Sequence, residues 1–531
     1  MKLKLSIPVA LCLLLSAPPV FAQPALEKPK PSDLNSTIES AELSYKTKDF
    51  KEAEKLFNDA LVKAKAAGPN DPRIGTALNG LALVYEAQGK RTEAMDTYKK
   101  ALEAKEAALG KNDPGTLPIL DNLAALYRAT GDNDNALATY QRALTIRESS
   151  KNPENAALAK NLNAIAAIYR EQSKFKDAEA LMVRVLSIVE KISGPDNPSV
   201  ALALTNLAVV YREENKLKEA QELYERALKI REKAYGPESQ EAAAGLSNLA
   251  RVYREEGRFE DAEPLLIRVV AIMDKVDPNS PAVVTALNNL ATVYKEENKY
   301  SDAETTYKRS AAVEEKMHGA ASYSLAAILT NLALVLNVEA KDTEAEPMMK
   351  RVVEITEKAL GPDDPNLAIA LNNLAELYRQ EGKFADAEAL IKRSLSIRTK
   401  VFGPDNPDVA SSQSDLALLY REQGKLDEAE PGFKQAVAIE EKMAAKRPGE
   451  LANALNNLAK LYRDQGKLEE SEALYKRSLA LREQTYGAND SRVAASLRNY
   501  AMLLRKMGKT SDADTMDARA ETIESNPDNK M

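Results

Sequence analysis

The sequence predicts an all-α protein, a long array of antiparallel helical hairpins on a 42-residue period. Three observations carry that reading. The chain has 531 residues, more than a single compact core serves. Hydrophobic residues make up 44% and charged ones 29%, with no Trp, a profile of exposed helices with narrow apolar stripes. Above all, one column recurs at a fixed step: Tyr85, Tyr127, Tyr169, Tyr211, Tyr253, Tyr294, Leu336, Tyr378, Tyr420, Tyr462 and Leu504. Every step is 42 positions except the one into Tyr294, which is 41.

Residues 1–22 stand apart from this pattern. Lys2 and Lys4 precede an apolar run from Ile7 to Leu15, and Val20-Phe21-Ala22 ends in small residues suited to cleavage. These are the parts of a secretory signal peptide, and the run is too short to span a bilayer. The expectation is an exported chain, periplasmic or extracellular, with no integral membrane segment once matured. Leu11 before Cys12 departs from a lipoprotein signal. Losing the segment removes the only Cys and leaves 71 basic against 80 acidic residues. No thiol chemistry is then open to the chain, and a net acidic protein is a poor general binder of nucleic acid. Residues 23–33 read as a flexible leader, 34–525 as the array and 526–531 as a tail.

Within the array, a small residue stands nine positions after each column residue, from Ala94, Ala136 and Ala178 on to Ser471 and Ala513. The same offset finds a weaker first unit with Ser44 and Ala53, making about twelve hairpins. The first helix of a hairpin should stop four residues past the column, where Gly89, Gly131, Asn215, Gly257, Asn298, Gly382, Gly424, Gly466 and Gly508 tolerate a left-handed backbone. The second helix should open just before the small residue, with Pro264, Pro347 and Pro431 in its first turn. Between hairpins, Asp113-Pro114, Asn197-Pro198, Ser280-Pro281, Asp364-Pro365 and Asn406-Pro407 each offer an N-cap and a first-turn Pro.

The spacing of Leu-Ala, Tyr, Gly, Ala, aromatic and Ala resembles the tetratricopeptide repeat. Phrases such as Leu371-Asn372-Asn373-Leu374-Ala375 and Arg226-Ala227-Leu228-Lys229-Ile230-Arg231-Glu232 are similar to its longer kinesin-light-chain subtype. The ordinary repeat is about 34 residues, and eight more add roughly two helical turns. The resemblance implies a superhelical solenoid whose first helices line a concave groove. An export signal and the lack of a heptad segment ahead of the repeats depart from a motor subunit.

At about 100° per residue, Leu374, Ala375 and Tyr378 share one arc, which makes the Tyr column a core feature. On the opposite arc, five positions before the column, stand Asn122, Asn206, Asn248, Asn289, Asn331, Asn373, Asn457 and Asn499, with Asp415 in the same register. One position after it stand Arg128, Arg170, Arg212, Arg254, Lys295, Arg379, Arg421, Arg463 and Arg505. Carboxamides can meet both the N–H and C=O of an extended peptide, and guanidinium groups can fork onto acidic side chains. These residues are the candidate peptide-binding site. The competing reading is a charge-balanced surface, because Glu171, Glu213, Glu255, Glu296, Glu422 and Asp464 stand one position beyond the basic column.

His318, the only histidine, falls at the end of a hairpin and reads as structural. Acidic residues are spread by the repeat, so no catalytic pair emerges; no enzyme activity, metal or cofactor is expected. The eighth hairpin loses its Tyr, Arg and Gly at Leu336, Asn337 and Ala340, and the link at Asp277-Pro278 is a residue short, which predicts a change in superhelical curvature or a soft joint between about 275 and 345. Asp517 replaces an aromatic residue in the last helix and reads as a polar cap. The functional expectation is an exported scaffold that holds an extended, acidic peptide or partner protein in its groove. The alternative is an assembly subunit of a cell-envelope complex that works through its convex face or edges.

Overall fold

The computed structural model describes residues 33–150 and 155–525. The signal peptide, nearly all of the leader and the tail lie outside the described residues. Twenty-four α-helices pair into twelve hairpins, an all-α tetratricopeptide-type solenoid, with one 3-10 turn at Pro114–Thr116. The chain divides into two compact bodies, residues 1–214 and 215–531.

A typical hairpin is the ninth. Its first helix, Pro365–Gln380, begins at Asp364, whose carboxylate accepts from the Asn366 N–H. The second helix, Phe384–Phe402, runs for 19 residues against 16 in the first, so the longer repeat is spent mainly there. Between them one residue turns left-handed, and this recurs in every hairpin: φ lies between 56° and 80° at Lys48, Gly89, Gly131, Ser173, Asn215, Gly257, Asn298, Ala340, Gly382, Gly424, Gly466 and Gly508. Ser173, Ala340 and Lys48 hold this conformation without the side chains that favour it. Adjacent hydrogen bonds, such as Lys341 N–H to Leu336 O at 2.9 Å, hold the turn there.

Immediately after the turn, the Ala nine positions past the column is fully buried in every hairpin where it occurs, including Ala94, Ala220, Ala345 and Ala387. Ser471 fills the same place and donates its hydroxyl to Ala459 O at 2.8 Å. A larger aromatic or aliphatic residue one turn further on closes the core: Tyr98, Tyr224, Tyr307, Phe433 and Tyr475 are essentially inaccessible.

The column tyrosines differ from expectation. Apart from Tyr378, they are half-buried, because the ring lies at the hairpin edge under the basic residue that follows the turn. Lys383 lies 5.2 Å from the Tyr378 ring centre and Arg258 lies 4.3 Å from that of Tyr253. Pro264, Pro347 and Pro431 also sit deeper than expected. The turn is so short that their helices open at Phe259, Asp342 and Leu426, which puts each Pro at the sixth position rather than in the first turn.

Packing gives no counterpart to the expected soft joint. The cluster that includes Leu325, Leu332, Leu336 and Met349 runs unbroken from Val284 to Leu419. Leu336 is wholly buried, so losing the Tyr hydroxyl adds apolar contact there. The missing residue near Asp277 is absorbed by a helix of 18 residues, Phe259–Val276, ending on extended backbone at Asp277. What remains unusual is Ala340, whose Cβ makes a left-handed backbone cost roughly 1–2 kcal/mol. Ala340→Gly is therefore expected to raise stability by up to about 1 kcal/mol in urea denaturation, the entropy of Gly offsetting part of the gain. A lower denaturation midpoint would contradict this account of the turn.

Candidate functional site

The candidate residues occupy one face of the first helices, and neighbouring hairpins make two uses of them. All eight asparagines are half-buried. Four positions of the register are joined to the hairpin before: Asn122 donates to Asn79 at 3.1 Å, Asn206 to Asn163 at 3.1 Å, Asn499 to Asn456 at 3.2 Å, and Asp415 accepts from Asn372 at 2.9 Å. Each bond spans 43 positions, from one residue of the register to the Asn that precedes it on the neighbour.

Asn289, Asn331 and Asn373, on three successive hairpins, have no hydrogen-bond partner among the described residues. Their neighbours show why. Ser247 and Thr330 turn their hydroxyls back onto Ala243 O and Ala326 O, and the Asn288 carbonyl oxygen takes the Ser310 hydroxyl. Asn248 and Asn457 are half-buried in the same register.

The basic column is largely answered by acids. Arg128 meets Glu171 at 2.9 Å, Arg170 meets Glu213 at 3.6 Å, Arg254 meets Glu296 at 3.8 Å, Arg379 meets Glu422 at 2.5 Å and Arg421 meets Asp464 at 2.6 Å. In each pair the acid belongs to the following hairpin. Arg463 shares Asp464 at 3.3 Å, and exposed Arg505 pairs with Asp514 and Asp517 in its own hairpin. Asp517, expected as a polar cap, is thus an ion-pair acceptor. Arg212 and Lys295 are half-buried.

A depression of about 190 Å³ opens on this face where the sixth and seventh hairpins meet, lined by Ser247, Ala250, Arg254, Leu266 and Asn289. Two of the sequence-predicted residues therefore share one concavity.

A second ladder was not read from the sequence. Glu304, Glu346, Glu430 and Glu472 each accept from the post-turn Lys of the next hairpin: Lys341 at 2.6 Å, Lys383 at 2.7 Å, Lys467 at 2.8 Å and Lys509 at 2.7 Å. A Lys one turn along the same helix adds a second donor, as Lys350 does to Glu346 at 2.8 Å. The Tyr378 hydroxyl donates to Glu346 at 3.1 Å, and in the last hairpin Tyr500 does the same for Glu472, replacing the missing column Tyr. A third ladder joins second helices, for example Arg351 to Glu315 at 2.8 Å and Arg393 to Glu357 at 2.5 Å. The signal for both ladders was present in the repeated Lys after each turn and the Arg six residues after each small position.

His318 is half-exposed and its Nδ1 lies 2.9 Å from Glu314, a buried carboxylate that also accepts from Ser322 and Ser324. It braces the link into the eighth hairpin. Among the described residues, no group of His, Cys, Asp and Glu is placed to hold a metal ion. No described helix is long and apolar enough to cross a membrane.

Stacked hairpins with polar first-helix faces define a class of scaffold that binds other proteins. The chain belongs to the tetratricopeptide repeat family, whose model matches residues 33–107, 96–149, 157–233, 241–316, 324–400, 368–442 and 450–523. Among solved structures it is similar to a Podosopora anserina protein described as a kinesin light chain with nearly identical TPR-like repeats. The two share 26% identity over 39% of this chain and 98% of that one, with a TM-score of 0.36. It is also similar to BtubC (BKLC) from P. vanneervenii, at 26% identity over 47% of this chain and 95% of that one, with a TM-score of 0.37. No curated protein matches.

Hydrogen bonds from two lysines hold the Glu346, Glu430 and Glu472 carboxyls down, to about 2. The folded value lies below the unfolded one of about 4.5, so the stabilisation is complete above that value and fades as pH falls toward 2. Glu346→Gln and Glu430→Gln are expected to lower the thermal midpoint at pH 7 and to leave it unchanged at pH 2. Equal losses at both pH values would show that the carboxylate charge contributes nothing. Asp415 behaves oppositely: burial, reinforced by Glu376, pushes its carboxyl up to about 6. The cost of ionising it therefore grows as pH rises from the unfolded value of 3.8 and is complete above about 6. Asp415→Asn is expected to raise the midpoint at pH 7.5 but not at pH 4, and a rise at both would point to packing instead.

Proposed function

We propose that the protein is an exported interaction scaffold that binds an extended segment of a partner protein on the first-helix face of hairpins six to nine. One observation carries the reading: three successive carboxamides, Asn289, Asn331 and Asn373, are half-buried and unspent within the chain. Their side-chain polar atoms stay open to solvent and so can be offered to a partner, and Asn is a mediocre helix former that packing alone does not call for. A peptide backbone supplies what each amide lacks, an N–H and a C=O at regular intervals. The depression at Arg254 and Asn289 gives the segment a place for one side chain. Arg254, held only loosely by Glu296 at 3.8 Å, favours an acidic one.

A second reading, assembly through the convex side, draws on exposed apolar residues near the ends of second helices. Tyr235 is 50% exposed, Val276 51% and Phe402 41%. The export signal supports an extracytoplasmic setting for either role.

Selecting binders from a displayed library of random peptides separates the readings. Peptides selected on the full chain are expected to bind at least about tenfold more weakly to the Asn289→Ala, Asn331→Ala, Asn373→Ala variant, a loss of 1.4 kcal/mol or more. Circular dichroism checks that the variant keeps its helices. Unchanged affinity in a folded variant would remove the groove reading and leave assembly.

A further inference from the structure

The acid–base ladder of the first helices lapses at the eighth hairpin, where Asn337 and Val338 stand in its places, and turns wholly basic between the eleventh and twelfth. Elsewhere an Arg one position past the column meets an acid two positions past the next column. Arg379 in the ninth hairpin is answered twice, by Glu422 and by Glu376 on its own helix at 2.6 Å. In the eleventh, both corresponding acids are replaced by lysines. Lys460 stands where the ninth hairpin has Glu376, and Lys506 stands where Arg463 should find its acid.

Three consequences are visible. Lys506 donates to the Arg463 backbone carbonyl at 2.6 Å and brings a second positive charge where the ladder would supply a carboxylate. Arg463 is 16% exposed and left with part of Asp464, which Arg421 already holds at 2.6 Å; one of its terminal nitrogens has no acceptor. The hydroxyl of Tyr475, a residue only 1% exposed, is also without a partner, in the field of Arg463, Asp464 and Arg421. Lys460 is half-buried with no acid of its own. Arg482 adds a further cation, its guanidinium donating to Asn453 at 2.6 Å. The Lys460 ammonium thus lies in the combined field of Arg421, Arg463 and Arg482, against which Asp464 sets a single carboxylate.

We propose that Lys460, Arg463 and Lys506 form an oxyanion site that takes a phosphoryl group. A carboxylate would cancel one unit of the surplus. A phosphoryl group brings close to two charges and three acceptor oxygens, enough for an ammonium on each side and a guanidinium between. Burial, together with Arg421, Arg463 and Arg482, holds the Lys460 ammonium below its usual value, so a bound dianion would relieve a tension already present. The site shares no residue with the carboxamide run of hairpins seven to nine and stands whether or not a peptide binds there.

The test is calorimetric titration of the full chain with inorganic phosphate, and separately with acetate, at constant ionic strength. Saturable phosphate binding is expected, with acetate at least about tenfold weaker. Lys460→Gln should weaken phosphate binding by about tenfold or more. Lys506→Glu restores the missing rung; it should abolish phosphate binding while the thermal midpoint holds or rises, which separates loss of the site from loss of the fold. The Asn289, Asn331, Asn373 alanine variant should bind phosphate normally. No saturable binding, acetate as tight as phosphate, or undiminished binding by Lys460→Gln would each overturn the proposal.

Discussion

The close contact of two helices at a fully buried alanine is what the rest of the structure depends on. Ala94, Ala220, Ala345 and their counterparts admit no solvent, and a side chain of one methyl group is what lets the packing close there. That approach places the following aromatic residue in the core and presents the other face of the first helix outward. It also brings the post-turn Lys over the column ring. Ser471 shows how strict the place is: a hydroxyl is accepted only because Ala459 O lies within reach. A hairpin built this way still has an unburied flank and unanswered charges, which its neighbour completes.

The fold was legible because it is written many times over. One unit with a Tyr, a Gly and an Ala at those offsets is weak evidence, whereas eleven such units in register leave no competing architecture. Details that depend on exact turn length were less visible. Pro264 was placed one turn too early, because the left-handed turn takes fewer residues than its Gly and Asn signals imply. The Tyr column was taken as core from its arc alone, since helical angle does not say how far a long side chain reaches toward the hairpin edge. The expected joint near Leu336 followed from lost signature residues. Leu336 and Ala340 lose the signature yet keep the packing.

The candidate site was half legible for a related reason. Periodicity put Asn and Arg on one face, and the face is where they are. Which of them remain available depends on residues one place away: Asn79, Asn163 and Asn456 use up their neighbours' amides, while Ser247 and Thr330 leave theirs alone. Such differences look like noise in a repeat alignment. They decide which rungs are structural and which can be offered to a partner.

Wherever the step is 42, the bonds between hairpins recur at the same separations, 43 positions for the carboxamides, 37 for the Lys–Glu clasps and 36 for the second-helix pairs; at the one shorter step the last two fall to 36 and 35. A chain that gained or lost one complete hairpin would find each partner at the same offset, with the cut healed by the neighbours it brought together. Length is therefore nearly a free variable for this architecture, adjustable in whole repeats without redesigning a single contact. The reach of such a scaffold can then change by recombination between its own copies, while its individual surfaces drift residue by residue.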